Sequence, residues 1–338
     1  MTETKFNTIT FEPTLRCNLA CAMCYQRELR TVYSELPLIK IARILNHLDT
    51  DVLWLVGGEV LLRGDLLEII DYAAGRGWEV GLTTNGLLIN EYYARAMAAR
   101  PMLRKIVYSL DGPAVIHNII RGSSRAFDLV SQAIRLTRNF TETVVNAVLT
   151  PITAQYLLEL VEEVSSLGVS QLNVILEEAY SAKGIKKTEQ LLASELQWQP
   201  ETYHLAASNR IQSIRAWRSE EEWLYIIEKA IEQGVRRGVE VTCSSIFSDP
   251  SYALHYKPGS LRHSFQLDCA NRLARNLRLD PEGRVIACGT IRKSLVKLPA
   301  QRDQVLEAVD HFFKELTQVN LLPVCARCCK VRVTRRDN

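Results

Sequence analysis

Short apolar runs alternate with amphipathic runs through the first 245 residues of this chain. The apolar runs are rich in Val, Ile, Leu and aromatic residues and are bounded by Gly, Asp, Asn or Pro, which predicts strands. Residues 35–48 and 153–167 show helical spacing, and Asn90 and Thr153 are candidate helix N-caps. Repeated strand–helix units predict a parallel sheet that forms a barrel or part of one, with its chemistry at the carboxyl ends of the strands. The predicted strands are 6–12, 52–57, 78–84, 105–110, 143–149, 170–176 and 239–244.

Two stretches depart from this alternation. Residues 181–220 contain lysines and a polar helical stretch with Trp198, which fits either a substrate-contacting insertion or an exposed helical decoration. After residue 246 we predict a β-hairpin over 276–288 and then a helix near 301–318. The chain therefore divides into a predicted barrel domain, 1–245, and a smaller C-terminal domain, 246–338.

Charge and cysteine content narrow the classes of function. The 338 residues carry a formal net charge of only +3, which argues against a nucleic-acid-binding surface. No apolar run approaches the ~20 residues that span a bilayer, and the polar N-terminus lacks a signal-peptide core. We therefore expect a cytoplasmic protein without a membrane partner. In that reducing compartment, nine cysteines indicate metal ligation rather than disulfides.

Three cysteines, Cys17, Cys21 and Cys24, follow the first predicted strand with the spacing Cys-x3-Cys-x2-Cys. Three close thiolates can bind three corners of a [4Fe–4S] cluster, whereas a structural zinc site needs four ligands. A cluster with three protein ligands leaves one iron open to a substrate or cosubstrate. The spacing therefore predicts a [4Fe–4S] cluster that takes part in chemistry.

With this cysteine loop after its first strand, the chain resembles the radical SAM superfamily over roughly residues 5–245. The resemblance implies an α/β fold with a partial (β/α)6 barrel. It also implies that the open iron binds S-adenosylmethionine (SAM) and that one electron breaks a sulfur–carbon bond. The products would be methionine and a 5′-deoxyadenosyl radical, which abstracts hydrogen from a substrate. A flavodoxin or ferredoxin-type protein is the implied electron donor.

The segment Gly57-Gly58-Glu59-Val60 follows the second predicted strand and is similar to the family's Gly-Gly-Glu-Pro motif. The resemblance implies that backbone carbonyls of this segment and the Glu59 carboxylate receive the SAM amino group. Glycines allow a close approach of the backbone, and a carboxylate suits an ammonium group. Val60 replaces the usual proline and Met23 replaces a commonly aromatic residue, but neither change removes a ligand.

Polar residues at later strand ends match the family in the same order. Asn85 lies in Thr83-Thr84-Asn85-Gly86 after the third predicted strand, and Ser109 ends the fourth. The resemblance implies that Ser109 and Arg121 hold polar atoms of SAM, with Arg121 bidentate to its carboxylate. Asn146, on the fifth predicted strand, is implied to reach the ribose.

A second group of cysteines follows the barrel region, and it resembles the SPASM/twitch class of radical SAM enzymes. Two of them flank the predicted hairpin, and the others form a Cys-x2-Cys-Cys run near the C-terminus. The resemblance implies one auxiliary [4Fe–4S] cluster of the shorter, twitch type. A structural zinc site is the alternative, since four thiolates also suit zinc. The predicted ligands are Cys269, Cys288, Cys325 and either Cys328, which we favour, or Cys329.

Cys243 lies in the last predicted barrel strand and has two interpretations. A cysteine in a strand is usually a small buried apolar residue. Alternatively, its thiol faces the cavity and donates a hydrogen atom to a carbon radical, which would make it a catalytic residue for epimerisation.

The predicted function is abstraction of hydrogen from a small polar metabolite of the sugar, aminocyclitol or nucleoside class, leading to dehydrogenation, epimerisation or rearrangement. Only 16 residues precede Cys17, so we expect no N-terminal peptide-recognition domain. Two alternatives stay open. One is a maturase that modifies a ribosomal peptide, and the other is a non-catalytic iron–sulfur or zinc protein.

Overall fold

Seven parallel strands form the centre of the fold, and their order in the sheet follows the chain. The computed structural model describes residues 5–24, 26–31, 33–177, 182–205, 220–243, 265–269, 276–319, 322, 325 and 331–335. Each of the seven strands pairs in parallel with the next, which confirms the predicted α/β sheet. The strands are β1 (Phe6–Thr14), β2 (Thr50–Gly57), β3 (Glu79–Thr84), β4 (Leu103–Ser109), β5 (Glu142–Leu149), β6 (Gln171–Leu176) and β7 (Glu240–Cys243).

Helices cover one face of this sheet, and apolar side chains between the two layers form the principal core. Leu53, Leu82 and Ile106 on the strands are fully buried against helix residues such as Ile70 and Val161. Burial of this apolar surface is the main force that holds the layers together. The helices that contribute residues to this core are α1 (Leu38–Leu45), α2 (Leu66–Gly75), α3 (Glu91–Ala98), α5 (Ala126–Thr137), α6 (Leu157–Ser166) and α8 (Glu220–Arg237). The two other helices in this part of the chain are α4 (Ala114–Arg121) and α7 (Ala182–Ser194).

One of the two predicted helix caps is confirmed. The side chain of Asn90 accepts a hydrogen bond from the backbone N–H of Tyr93 at 2.9 Å and caps α3. The cap predicted at Thr153 is wrong, because that residue lies inside a short 3-10 helix, Thr153–Tyr156. The Thr150 hydroxyl accepts the hydrogen bonds from the backbone N–H groups of Ile152 and Thr153 instead.

Three strands of the C-terminal part extend the same sheet, and two others form a separate pair. β8 (Phe265–Cys269) pairs with β12 (Val331–Arg335), separately from the main sheet. The predicted hairpin is confirmed as β9 (Asn276–Leu279) and β10 (Arg284–Ile286), which are followed by β11 (Ser294–Lys297). β9 also pairs in parallel with β1, so ten strands form one open sheet with β7 and β11 at its edges. The predicted helix near 301–318 is α9 (Arg302–Gln318).

The described part of the 181–220 segment packs into a second apolar cluster. Trp198 is only 4% exposed and stacks on Phe312 of α9, with ring centroids 5.5 Å apart. Leu192 and Leu205 join the same cluster, and Leu205 forms a β-bridge with Ile291. An exposed decoration is therefore the wrong interpretation for residues 182–205, which share a core with the C-terminal part. The domain boundary at residue 245 stays a prediction.

Among the described residues, none of the helices combines the length and the apolar character that crossing a bilayer requires.

Candidate functional site

The three N-terminal cysteines lie in one loop that leaves the carboxyl end of β1. Cys21 is buried, while Cys17 and Cys24 are half-buried. The loop turns back on itself, because the backbone N–H of Cys24 donates to the carbonyl of Cys21 at 3.2 Å. It is also fixed to α4 by a hydrogen bond from the backbone N–H of Ala22 to the carbonyl of Ile120, at 3.0 Å.

Two glycines at the end of β2 allow the backbone to touch this loop. A Cβ atom at Gly57 would lie 2.0 Å from the carbonyl oxygen of Thr14, and one at Gly58 would lie 2.2 Å from that of Arg16. Gly57 also has a φ of +146°, which side-chain-bearing residues rarely adopt. The backbone N–H groups of Gly58 and Glu59 donate to the carbonyls of Thr14 and Arg16. The glycines therefore hold the start of the cysteine loop against the neighbouring strand.

Arginine side chains approach the sulfur atoms of the loop. A terminal nitrogen of Arg121 lies 3.7 Å from Sγ of Cys21, and one of Arg30 lies 3.8 Å from Sγ of Cys24. Burial raises the pKa of the Cys21 thiol, although the Arg121 charge opposes that rise. Guanidinium groups at this distance stabilise thiolates, the form in which cysteine binds iron. The donor set therefore suits an anionic iron–sulfur cluster.

In the described part of the chain, no three His, Cys, Asp or Glu side chains converge closely enough to hold a single metal ion. A cubane cluster has different needs, because its thiolate ligands bind separate irons at different corners of the cube. The three thiols of this loop are the number that such a cluster takes from a protein when one iron is left open.

Glu59 is completely buried and links the end of β2 to the end of β3. Its carboxylate accepts hydrogen bonds from the Thr84 hydroxyl at 2.7 Å, from the backbone N–H of Asn85 at 2.7 Å and from that of Leu61 at 3.1 Å. Burial raises the pKa of Glu59 in spite of these donors. The Asn85 side chain in turn donates to Asn18 in the cysteine loop at 2.8 Å.

Asp111, just beyond β4, is a buried anchor for Arg121. The Nε atom of Arg121 donates to its carboxylate at 2.6 Å, and the backbone N–H of Val148 donates to the other oxygen at 3.0 Å. Burial disfavours the Asp111 charge, but Arg121 and His117 hold its pKa well below the ordinary value. Burial lowers the pKa of His117, although Asp111 opposes this shift, and the Nδ1 atom of His117 accepts a hydrogen bond from the backbone N–H of Asp111 at 3.1 Å.

A row of four polar residues crosses the inner face of the sheet, opposite the helices. Strand residues alternate between faces, and each member of the row directly follows a residue of the principal core. Neighbouring members are paired in register across β4 to β7. The row consists of Ser109, Asn146, Asn173 and Thr242. Ser109 and Asn146 were predicted from the sequence, whereas Asn173 and Thr242 lie in no recognised motif.

Cys243 lies on the other face of β7 from Thr242. It is paired with Val174 of β6, which belongs to the principal core, and it packs against that core itself. This position agrees with the interpretation of Cys243 as a small apolar strand residue and gives no support to a cavity-facing thiol.

Comparison with known proteins identifies the segment that carries this site. Residues 11–164 match the model of the radical SAM superfamily. The chain contains a radical SAM domain. The superfamily consists of enzymes, and the match implies a [4Fe–4S] cluster and SAM as cofactors of this segment.

Relatives of this radical SAM domain include proteins named for different reactions. The chain is 33% identical over 178 residues to a probable GTP 3′,8-cyclase from Methanopyrus kandleri, covering 48% of this chain and 54% of that protein. It is 31% identical over 148 residues to the mycofactocin maturase MftC from Mycolicibacterium smegmatis, covering 42% and 37%. The chain thus spans about half or less of the length of these relatives.

Solved structures share the fold over most of this chain. Streptococcus suis SuiB with bound S-adenosylmethionine superposes with a TM-score of 0.63 at 13% identity, covering 92% of this chain and 66% of SuiB. The AdoMet-bound anSMEcpe structure gives a TM-score of 0.62 at 18% identity, with 91% and 83% coverage. At these identities the likeness shows the fold alone.

Outside the radical SAM motifs, a buried ion cluster joins β1 to the C-terminal part. Glu12 is 0% exposed, and its carboxylate accepts hydrogen bonds from Arg292, at 2.5 and 3.1 Å, and from Arg278. Burial disfavours the charge, but the two arginines lower the pKa of Glu12 to about 2. This cluster was not predicted from the sequence, since a lone glutamate in a strand and two distant arginines form no motif.

Three cysteines of the C-terminal group lie against the second apolar cluster. Cys269, Cys288 and Cys325 are all half-buried there. The backbone N–H of Ile291 donates to Sγ of Cys288 at 3.3 Å. β12 brings Val331, just beyond the Cys325–Cys329 run, opposite Cys269. Cys328 and Cys329 lie outside the described residues.

Proposed function

We propose that this chain cleaves SAM reductively at a [4Fe–4S] cluster bound by Cys17, Cys21 and Cys24. The observation that carries the proposal is the loop itself: three thiols in a radical SAM domain, held by the glycines of β2 and approached by arginines at two of the sulfurs. When bound, such a cluster supplies one electron to SAM, which separates into methionine and a 5′-deoxyadenosyl radical.

The residues around the loop are proposed to bind and orient SAM. We assign its amino group to the backbone carbonyls of Gly57 and Gly58 and to Glu59. A carboxylate has about four acceptor sites, and Glu59 uses three of them within the chain, which leaves one for an ammonium group. Asn85 keeps the cysteine loop beside this segment through its bond to Asn18.

The other SAM contacts are proposed on the next strands. Arg121 is anchored through its Nε atom by Asp111, and this anchor orients the rest of its guanidinium group towards the cysteine loop. We assign the SAM carboxylate to Arg121 with Ser109, and the ribose to Asn146. A planar guanidinium matches a carboxylate better than a lysine would.

The test is anaerobic reconstitution with iron and sulfide, followed by reduction in the presence of SAM. We expect 5′-deoxyadenosine and methionine from the wild-type chain and neither product from a Cys17→Ala, Cys21→Ala, Cys24→Ala triple variant. SAM should also change the electron paramagnetic resonance spectrum of the reduced cluster. The proposal would be contradicted if the cluster were intact, its electron paramagnetic resonance spectrum did not change on addition of SAM, and no SAM were cleaved.

An auxiliary [4Fe–4S] cluster on Cys269, Cys288, Cys325 and Cys328 is part of the proposal. Its support is the packing of three of these cysteines on one apolar cluster and the N–H bond to the Cys288 sulfur. Two clusters require about eight irons per chain, and the N-terminal triple variant should retain about four. Zinc retained by that variant would instead favour the structural alternative.

For the substrate we propose a small polar metabolite of the sugar, aminocyclitol or nucleoside class. The polar row on the inner face of the sheet supports this choice, because hydroxyl-rich substrates need such partners. Similarity to a probable GTP 3′,8-cyclase supports the nucleoside class. Deuterium transfer from a labelled substrate into 5′-deoxyadenosine is the decisive measurement.

Peptide modification is the second candidate function. It is favoured by the 31% identity to the maturase MftC, and the SuiB fold has been solved with its precursor peptide SuiA. Two further predictions remain proposals and do not depend on this alternative: the division of the chain into domains at residue 245, and Cys243 as the hydrogen donor of an epimerisation. Deuterium transfer from a labelled peptide, and none from metabolites, would select this alternative.

A further inference from the structure

We infer that Asn173 is a positioning residue that turns the Asn146 side chain so that its amide N–H2 group faces the ligand. The inference rests on the proposed function, in which Asn146 contacts the ribose. Neither Asn173 nor Thr242 belongs to a sequence motif, but the two residues continue the inner-face row from Asn146 to the edge of the sheet.

The hydrogen bonds in this row run in one direction. The Thr242 hydroxyl donates to Oδ1 of Asn173 at 2.5 Å. The Nδ2 group of Asn173 then donates to Oδ1 of Asn146 at 3.0 Å. Strand register places each donor directly beside its acceptor, so the chain of bonds needs no distortion of the backbone.

The direction determines what Asn146 can offer to a ligand. An amide side chain has one carbonyl acceptor and an N–H2 group with two donors. Since Asn173 occupies the acceptor, the N–H2 group of Asn146 stays available, and within the described residues it donates to no other group. Asn146 is only partly buried, so a ligand at the inner face can reach it.

The part of the row formed by Asn146, Asn173 and Thr242 selects neutral oxygen atoms. Its members carry no charge. The ion pair between Lys105 of β4 and Glu142 of β5 lies four residues before Ser109 and Asn146, at the amino ends of these two strands. A neutral donor beside a ligand favours hydroxyl or carbonyl oxygens as acceptors. The ribose hydroxyl oxygens of SAM belong to this class. If Asn146 is oriented in this way, the protein should bind a ligand with a complete ribose more tightly than the same ligand without one ribose hydroxyl.

The test measures binding of S-adenosylhomocysteine and its 2′-deoxy and 3′-deoxy forms to the anaerobically reconstituted protein. These ligands have no sulfonium, so binding is read without turnover. We expect the wild type to favour the full ribose over one deoxy form by about three- to tenfold, the range for one neutral hydrogen bond. Asn146→Ala should abolish this preference.

The decisive variant is Asn173→Asp, which keeps the shape but removes the donor. The carboxylate that it introduces can only accept, so Asn146 must turn its N–H2 group away from the ligand and present Oδ1 instead. Because a ribose hydroxyl can still donate to Oδ1, the preference of this variant is read with the O-methyl form of the contacted hydroxyl, which can only accept. The preference for that form over the deoxy form should fall to that of Asn146→Ala. Gln171→Glu is the matched control. It adds the same charge two residues earlier on the same face and should leave the preference unchanged.

The outcomes separate this inference from the proposed function. A wild-type preference in Asn173→Asp, or an equal loss in Gln171→Glu, would overturn the positioning role while SAM cleavage stands. Absence of both cleavage and ligand binding in the wild type would overturn the proposed function first. If Asn173→Asp does not fold, Thr242→Val answers the question, because it removes the donor that orients Asn173. A reduced preference in this variant supports the inference, and an unchanged preference overturns it.

Discussion

At the scale of single residues, the site depends on charges that are buried in pairs. Asp111 is 1% exposed, and Arg121, on α4, is the arginine that donates to its carboxylate. Removing one partner of a buried pair costs more than the pair contributes, because the remaining charge is left without solvent or counter-ion. Arg121 therefore has a structural role that is separable from any contact with SAM.

We predict that Arg121→Gln lowers the free energy of unfolding of the cluster-free chain by about 3 kcal/mol at pH 7. The loss should shrink as the pH falls towards 4. Without Arg121, burial raises the pKa of Asp111, so protonation relieves the unpaired charge in the folded variant. Urea unfolding at both pH values measures this difference.

Arg125→Gln is the control for that variant, since Arg125 is exposed and lies four residues further along the chain. It should change the free energy of unfolding by less than about 0.5 kcal/mol at either pH. An Arg121→Gln deficit that stayed constant between pH 7 and pH 4 would show that Asp111 is not the source of the cost.

At the scale of elements, the contact between the end of β2 and the cysteine loop is backbone against backbone. We predict that Gly58→Ala lowers the iron content after reconstitution, because its Cβ would lie 2.2 and 2.4 Å from two carbonyl oxygens and must displace the loop. Overpacking of this kind costs about 3 kcal/mol. Iron and sulfide per chain, with circular dichroism as a check of folding, are the measurements.

Gly64→Ala is the matched control, because no atom lies within 4 Å of its added Cβ. It should retain the wild-type iron content. If Gly58→Ala bound as much iron as Gly64→Ala, the loop would have to tolerate displacement, and the fit between β2 and the cysteine loop would not control cluster assembly.

Strands and helix ends that depend on residues close together in the sequence were predictable. The seven strands follow from β-branched runs between turn residues, and Asn90 caps its helix through a neighbour three residues away. Thr153 failed as a cap because Thr150, also a threonine, offers its hydroxyl to the same turn. Sequence alone does not decide between two such competitors.

At the scale of the whole molecule, long-range contacts were not predictable. Nothing in the sequence near Asn276 indicates that β9 pairs with β1 rather than forming a separate sheet. Likewise, the pattern of apolar residues along the sequence does not predict that Glu12 contacts Arg278 and Arg292, which follow it by more than 260 residues. These contacts form only in the tertiary structure. They connect β1, which precedes the N-terminal cysteine loop, to the region of the chain that carries the C-terminal cysteines.

We predict that Glu12→Gln destabilises the cluster-free chain by about 3 kcal/mol or more at pH 7, because two arginines lose their buried partner. The pKa of Glu12 is about 2 in the folded chain, below its ordinary value of 4.5, so between these values the unfolded chain binds more protons. The stabilisation is therefore complete above about pH 5 and is lost as the pH falls towards 2. The difference between wild type and variant, measured by urea unfolding, should narrow over this interval.

Asp51→Asn is the control for Glu12→Gln. Asp51 pairs with Lys5 at an exposed position, 2.7 Å away, where solvent screens the charges, so this variant should leave the free energy of unfolding nearly unchanged. If the cluster around Glu12 couples the two parts of the chain, Glu12→Gln should also release the C-terminal strands before the seven parallel strands unfold. Hydrogen exchange would then show faster exchange in β9 and β10 than in β3 and β4. Equal acceleration in all four strands would mean that Glu12 stabilises the molecule as a whole without joining its parts.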